Sequence, residues 1–379
     1  MEQKTVVANA IDIISAQAKE REHSDKEAIN RLLAVVSSGI NADTLINSLL
    51  YNCDVTLNFH PDRISQNGKL IIDNLLSDGK YHNQFKTGVS NGGLNPYEGG
   101  QRDLWEKRLF CCAYHDGRSA LADRPKYGAL NIHNHIDGAA PRFGSCFFTL
   151  KPHMAGRCTF ADGDSNSNPA TMGTAGHFCG ILLAMLQSVR DTGQLYGEGG
   201  FTVKSAVDYI LSMRRGSMGA LGRNLDFYIE THVHGDILLS KDVACLYLDG
   251  SYIGTYIEEA ALALCKRYGI SPRYIPKRQF PANRIDDEWK GPLARPLAKR
   301  IVNKFKDGVL QSLHANYRVS YSGGLSGDML NAALLGLASQ DSVINQSEWL
   351  DIGTQYDLSQ NFKYLWHYIA HFGDTTFID

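Results

Sequence analysis

None of the eight cysteines forms a CxxC pair, and most lie in apolar runs such as those around Cys146 and Cys245. A disulfide framework is therefore not expected, and the thiols read as reduced, buried residues. No stretch of 18 apolar residues occurs, so no transmembrane helix or membrane insertion is expected. The first residues lack a basic start followed by an apolar run and read as a helix rather than a signal peptide. The expected location is the cytoplasm, or a host cell reached without a cleaved signal. Charge imbalance is also missing: 38 Lys and Arg face 40 Asp and Glu, a net charge of −2. Bulk electrostatics give no case for nucleic acid or membrane binding. There is no internal repeat and no low-complexity tract.

What is present is ordinary globular composition over 379 residues, 43% hydrophobic and 21% charged. That length holds one large domain or two ordinary ones with a sizeable core. Apolar residues at three- and four-residue spacing predict two or three helices within 1–50. Alternation predicts a strand at 54–60, and 65–76 reads as a helix stopped at Asp78-Gly79. The glycine-laden, aromatic segment 81–101 reads as a loop with a short strand. Strands are expected at 127–132, 143–150, 157–160, 227–233 and 243–248. Helices are expected at 176–192, 203–215 and 255–268. A basic, proline-containing link follows 270, then a helical region. The fold class is α+β, with an N-terminal helical region (1–50), a catalytic α+β domain (51–270) and a mostly helical C-terminal region (271–379).

The segment 228–235 draws attention first. Glu230, His232 and His234 stand two apart on a predicted strand, so all three share one face, opposite Ile229, Thr231 and Val233. Three titratable groups on one strand face, before a Gly-Asp turn, point to a site. His60 closes the first strand, with Asp62 and Arg63 beyond it, a natural place to fix a ligand. The loop QFKTGVSNGG (84–93) offers an amide, hydroxyls and close-approach glycines: Gln84, Phe85, Thr87, Gly88, Ser90 and Asn91 are its candidate binding residues. It fits neither phosphate-loop nor dinucleotide-fold spacing. His133 and His135 form a second HxH pair; with His232 and His234 they offer four imidazoles to a transition metal, though without an HExxH motif. Asp162-Gly-Asp164 resembles the start of a calcium loop but lacks its twelfth-position Glu.

Two resemblances follow. The runs FHPDR (59–63), YHNQFKTGVSNGG (81–93), RPKYGALN (124–131), GAAPRFGSC (138–146), TFADGDS (159–165) and VHG (233–235) look like an uncharacterised bacterial protein family of unknown function. The order of Phe59–Arg63, Phe85–Ser90 and Glu230–Asp236 also resembles the ADP-ribosyltransferase superfamily. There a strand ending in Arg or His precedes a Ser-Thr-Ser-type strand and a Glu-bearing strand. Here Thr-Gly-Val-Ser replaces Ser-Thr-Ser, and Glu230-x-His232 replaces the usual carboxylate pair. The resemblance implies a split mixed or antiparallel sheet core, NAD⁺ as cofactor, and His60 or Arg63 holding its nicotinamide–ribose part. It implies support from Thr87 and Ser90, aromatic stacking on nicotinamide by rings such as Tyr228, and Glu230 as the catalytic carboxylate beside His232.

The expected activity is thus an NAD⁺-dependent ADP-ribosyltransferase or NAD⁺ glycohydrolase, of the kind found in bacterial effectors and toxins. A protein substrate or activator is the expected partner, with a nucleic-acid target left open. The alternatives are a metal-dependent hydrolase built on the two HxH pairs, and a non-catalytic binding module.

Overall fold

The computed structural model of the protein describes residues 6–36, 39–89, 96–115, 117, 119–217, 219–319 and 328–376. At its centre lies an eight-stranded sheet. Numbered in chain order, the strands are β1 Val55–Phe59, β2 Lys126–Leu130, β3 Cys146–Leu150, β4 Cys158–Asp162, β5 Met172–Thr174, β6 Ile229–Val233, β7 Val243–Asp249 and β8 Ser271–Ile275. Across the sheet their order is β8-β7-β3-β1-β2-β6-β4-β5. Only β7 and β8 pair in parallel, so the sheet is mixed. The fold is α+β.

The register decides which side chains meet, because residues directly opposite on neighbouring strands share a face. Thr56 pairs with Ala129, Ala129 with Glu230, and Glu230 with Ala161. Tyr127 pairs with His232, and His232 with Thr159. One face of the sheet therefore carries Asn58, Tyr127, Glu230, His232 and Thr159. The other carries Leu57, Phe59, Leu130, Ile229, Val233, Cys158 and Phe160, which join one continuous apolar core running from Ile29 to Ala370. Both faces are covered, and β1, β3 and β6 are buried at every position. The N-terminal and C-terminal regions pack onto the same core as the sheet.

β1 and β2 pair only at Val55–Thr56 with Ala129–Leu130. Beyond those two pairs the strands part, leaving Asn58–His60 on one side and Lys126–Gly128 on the other. Both segments line the cavity described below.

The sequence reading differs from the structure in instructive places. The first region holds two helices, Val6–Val36 and Ala42–Asn52. The helix expected from Ser65 begins only at Ile71 and runs to Asp78. Before it, Ser65 Oγ and the Asn67 and Asn74 side chains hydrogen-bond one another and hold a turn instead. Within 81–101, Gln84–Thr87 is a short helix capped by Asn83. The stretch after 270, expected as a link, forms β8 and a further strand, Lys277–Pro281. Proline is tolerated there because β8 is an edge strand, where a missing N–H breaks no ladder.

Arg278 fastens that later chain to the sheet. Its Nη1 lies 2.9 Å from Asp137 Oδ2 and its Nε 3.5 Å from Asp249 Oδ2, with all three residues at most 1% exposed. Its guanidinium also stacks over Trp366 of the helix Gln355–Phe372. Removing one member of such a group strands the buried charges that remain. We expect Arg278→Met to lower the unfolding free energy by about 3–5 kcal/mol, measured by urea denaturation. A loss below about 1 kcal/mol would mean the group behaves like an exposed pair.

Candidate functional site

The cavity between the parted strands has a volume of about 480 Å³, within the range of small-molecule sites. Asn58, Phe59 and His60 form one wall, and Lys126, Tyr127 and Gly128 the other. Glu230 of β6 lies beyond β2. The loop Gly163–Ser167 after β4, with Arg142 and Phe143, closes one end. The helix Gln101–Leu109 brings Arg102 and Trp105, and the 81–89 segment brings Tyr81, Gln84 and Thr87.

Glu230 is 4% exposed, on a strand whose neighbours are all buried. Its Oε1 takes a hydrogen bond from the Ser165 backbone N–H at 3.2 Å and pairs with His232 Nε2 at 2.8 Å. The Ser165 bond exists because Asp164 caps a 3₁₀ turn, accepting from the Asn166 N–H, and Tyr228 OH holds the other oxygen of that Asp at 2.7 Å. His232 is fully buried between the edges of Phe110 and Tyr127.

His60 ends β1 in a second polar chain. Its Nδ1 is 3.3 Å from Ser145 Oγ, which is 2.9 Å from Tyr252 OH, which donates to Asp62 Oδ2 at 2.7 Å. A carboxylate accepts only, so Tyr252 donates to Asp62, Ser145 to Tyr252, and His60 Nδ1–H to Ser145. Nε2 is left with a bare lone pair. Burial, then the cations Arg63, Arg278 and Lys363, hold the His60 pKa well below its usual value. The neutral ring therefore offers the cavity an acceptor.

Several buried polar atoms at this site lack hydrogen-bond partners among the described residues: Asn58 Oδ1, His60 Nε2, Arg102 Nε and Nη1, and Arg142 Nε. Such orphans are uncommon in native interiors, where water or a bound polar group would meet them. Positive charge gathers with them. Arg102 lies over the Tyr127 ring at 4.7 Å. Lys126 is pushed down to about 8, first by burial. Lys363 is pushed down to about 7, by burial and then by Arg63, Arg102 and Arg142. Arg63, Arg102 and Arg142 raise the cost of ionising Lys363, which an anion among them would offset.

Of the candidates read from the sequence, His60, Gln84, Thr87 and Glu230 line this one cavity, and His232 stands directly behind Glu230. Others do not reach it. Arg63 is turned away, its guanidinium over Phe362 of the C-terminal helix, so of the two residues proposed for one role it is His60 that faces the cavity. Phe85 is buried beneath the Arg124 guanidinium. Gly88, with φ +69°, closes the Gln84–Thr87 helix and packs on Gln66. Tyr228 is buried against the edge of Phe143; the rings at the cavity are instead Phe59, Tyr81, Trp105, Tyr127, Phe143 and Phe227. Ser90 and Asn91 lie outside the described residues.

The two HxH pairs are not joined into a metal site. Both nitrogens of His232 and His234 are engaged by Glu230, Thr159 and Tyr114, while His133 binds the Leu195 carbonyl and Tyr209. Among the described residues no three His, Cys, Asp or Glu side chains converge as metal ligands.

Residues 54–372 match a family described as a protein of unknown function, DUF3626. The chain belongs to the DUF3626 family. The match extends past the motifs at 54–255 and takes in the C-terminal helix that packs beneath His60 through Trp366. No protein of curated function matches this DUF3626 chain. Among the described residues, no helix is long and apolar enough to cross a membrane.

Acid should loosen this structure before its carboxylates titrate. Burial holds the His60, His234 and His367 pKa values well below normal and pushes His133 down to about 4. The unfolded chain takes up these protons near 6.5 and the folded chain does not, so stability is full above about pH 6.5 and is lost as pH falls toward 4. The urea midpoint should be lower at about pH 5.5 than at pH 7.5. An unchanged midpoint would contradict the neutral, buried state of these rings.

Proposed function

We propose that the cavity binds NAD⁺ and that the protein is an ADP-ribosyltransferase or NAD⁺ glycohydrolase. The observation that carries this reading is Glu230: a buried carboxylate, fixed by two donors on one oxygen, at the wall of a cavity with aromatic rings and arginine nitrogens that lack partners. Three further features support it. Strands β1 and β2 pair over only two residues and then diverge beside the cavity. The strand-end His60 faces the cavity with a free acceptor, suited to a ribose hydroxyl. Arg102 and Arg142 suit a diphosphate.

In the proposed reaction the bond between the ribose C1′ and the nicotinamide nitrogen breaks. Its electron pair leaves on neutral nicotinamide, and positive charge develops on the sugar. Glu230 stabilises that charge electrostatically and accepts a hydrogen bond from a ribose hydroxyl. Water or an acceptor hydroxyl, amine or guanidine attacks C1′ and loses a proton. Glycohydrolysis and transfer differ only in that nucleophile. A protein acceptor suits a bacterial effector or toxin. His232 serves here as a hydrogen-bond donor to Glu230 rather than as a second catalytic carboxylate.

The test is nicotinamide release from NAD⁺, with bacterial and eukaryotic extracts supplying acceptor and activator. Glu230→Gln should lower kcat on the order of a hundredfold or more while the melting temperature stays close to wild type. Arg102→Gln should raise KM with a smaller effect on kcat. Absence of release by the wild type with either extract would overturn the reading in favour of a non-catalytic binding module.

A further inference from the structure

Behind Glu230 the hydrogen bonds do not stop at His232. His232 Nδ1 is 3.0 Å from Thr159 Oγ1, Thr159 Oγ1 is 3.0 Å from His234 Nε2, and His234 Nδ1 is 2.6 Å from Tyr114 OH. Four side chains from three separate parts of the chain thus extend in a line from the carboxylate. All are buried, with Thr159, His232 and His234 fully so.

With both imidazoles neutral, donor and acceptor matching gives this line one direction. An ionised Glu230 accepts, so His232 Nε2–H donates to it. A neutral imidazole then has a bare Nδ1, which the Thr159 hydroxyl must serve as donor. Having given its hydrogen, Thr159 accepts from His234 Nε2–H. His234 Nδ1 is bare in turn and accepts from Tyr114 O–H. Every bond points toward Glu230, and each ring carries its proton on Nε2.

The surroundings are built to hold that arrangement. Phe110 meets both imidazoles edge-on at 5.3 Å, and Tyr114 stacks parallel to His234. Tyr114 is brought there by a turn with two consecutive left-handed residues that are not glycine, Cys111 at φ 48° and Cys112 at φ 64°. Such residues persist where the surrounding structure requires them. Ala10 and Ile14 of the helix Val6–Val36 are fully buried in the same cluster as Phe110 and Tyr114. Burial, then the neighbouring His232, Lys126 and Arg157, oppose a proton on His234.

We propose that His232, Thr159, His234 and Tyr114 form a one-way chain of hydrogen-bond donors whose role is to orient the carboxylate of Glu230. The latter three are positioning residues, remote from the cavity. This rests on the reading of Glu230 as the catalytic carboxylate, but the chain's direction is observable without activity.

The test uses the full-length protein and two readouts. Nitrogen-15 spectra of histidine-labelled protein should show His232 and His234 both protonated on Nε2 and bare on Nδ1. A proton on Nδ1 of either ring would overturn the proposal. Thr159→Val, nearly isosteric, should lower kcat for nicotinamide release on the order of tenfold to a hundredfold with KM little changed. Thr159→Ser should restore most of it. Tyr114→Phe, which deletes only the far hydroxyl, should lower kcat in the same direction. Wild-type kcat in Thr159→Val and Tyr114→Phe, or a Ser variant as impaired as Val, would overturn the proposal. If the wild type releases no nicotinamide, the NAD⁺ reading fails, while the spectra still decide the chain's direction.

Discussion

A carboxylate and two imidazoles buried in the middle of a β-sheet constrain most of what surrounds them. Burying such groups without partners costs several kcal/mol, so the fold must supply a donor or acceptor to each. It does so by register. Thr159 stands directly opposite His232, Ala129 and Ala161 flank Glu230, and Tyr127 covers the other side of His232. A slip of one residue in β6 would turn Glu230 and His232 into the apolar core and Thr231 and Val233 toward the cavity. The polar row therefore specifies the register as strongly as the apolar face does.

That row was legible in the sequence because period two is local: Glu230, His232 and His234 need only their own spacing to share a face. His60 was legible for a similar reason, as the residue that closes an alternating strand. Gln84 and Thr87 were marked by glycine-rich, polar composition. What composition could not show is which of His60 and Arg63 turns inward. Arg63 is three residues beyond His60, and the chain reverses between them, so it faces Phe362 instead.

Arg102 and Arg142 had no sequence signal of their own. Arg102 sits on a nine-residue helix with almost no apolar stripe, QRDLWEKRL, which reads as a solvated surface helix. It is buried nonetheless because Asp103 and Glu106 of the same helix pair with Arg124, the residue that opens β2's approach. That ion network, not hydrophobicity, docks the helix and leaves Arg102 free to face the cavity. The strands after 270 were missed for the opposite reason: their proline content argued for a link, whereas Pro272 lies on an edge strand and Pro281 at the last position of the strand Lys277–Pro281.

The two polar chains at the cavity have opposite outcomes from the same rule. Each begins at a carboxylate that accepts only. The Asp62 chain runs through Tyr252 and Ser145 and ends at His60 with a bare acceptor facing the cavity. In the other, the carboxylate itself is at the cavity and the donors retreat from it to Tyr114. Both therefore present electron pairs toward the cavity, one from an imidazole and one from a carboxylate, and Arg102 and Arg142 line the same space. A bound molecule must then combine hydroxyl or amide donors with a region of negative charge. Sugars bearing phosphates have that combination. An uncharged apolar ligand would fill the aromatic part of the cavity and leave the unpartnered atoms of Asn58, His60 and Arg102 still unsatisfied.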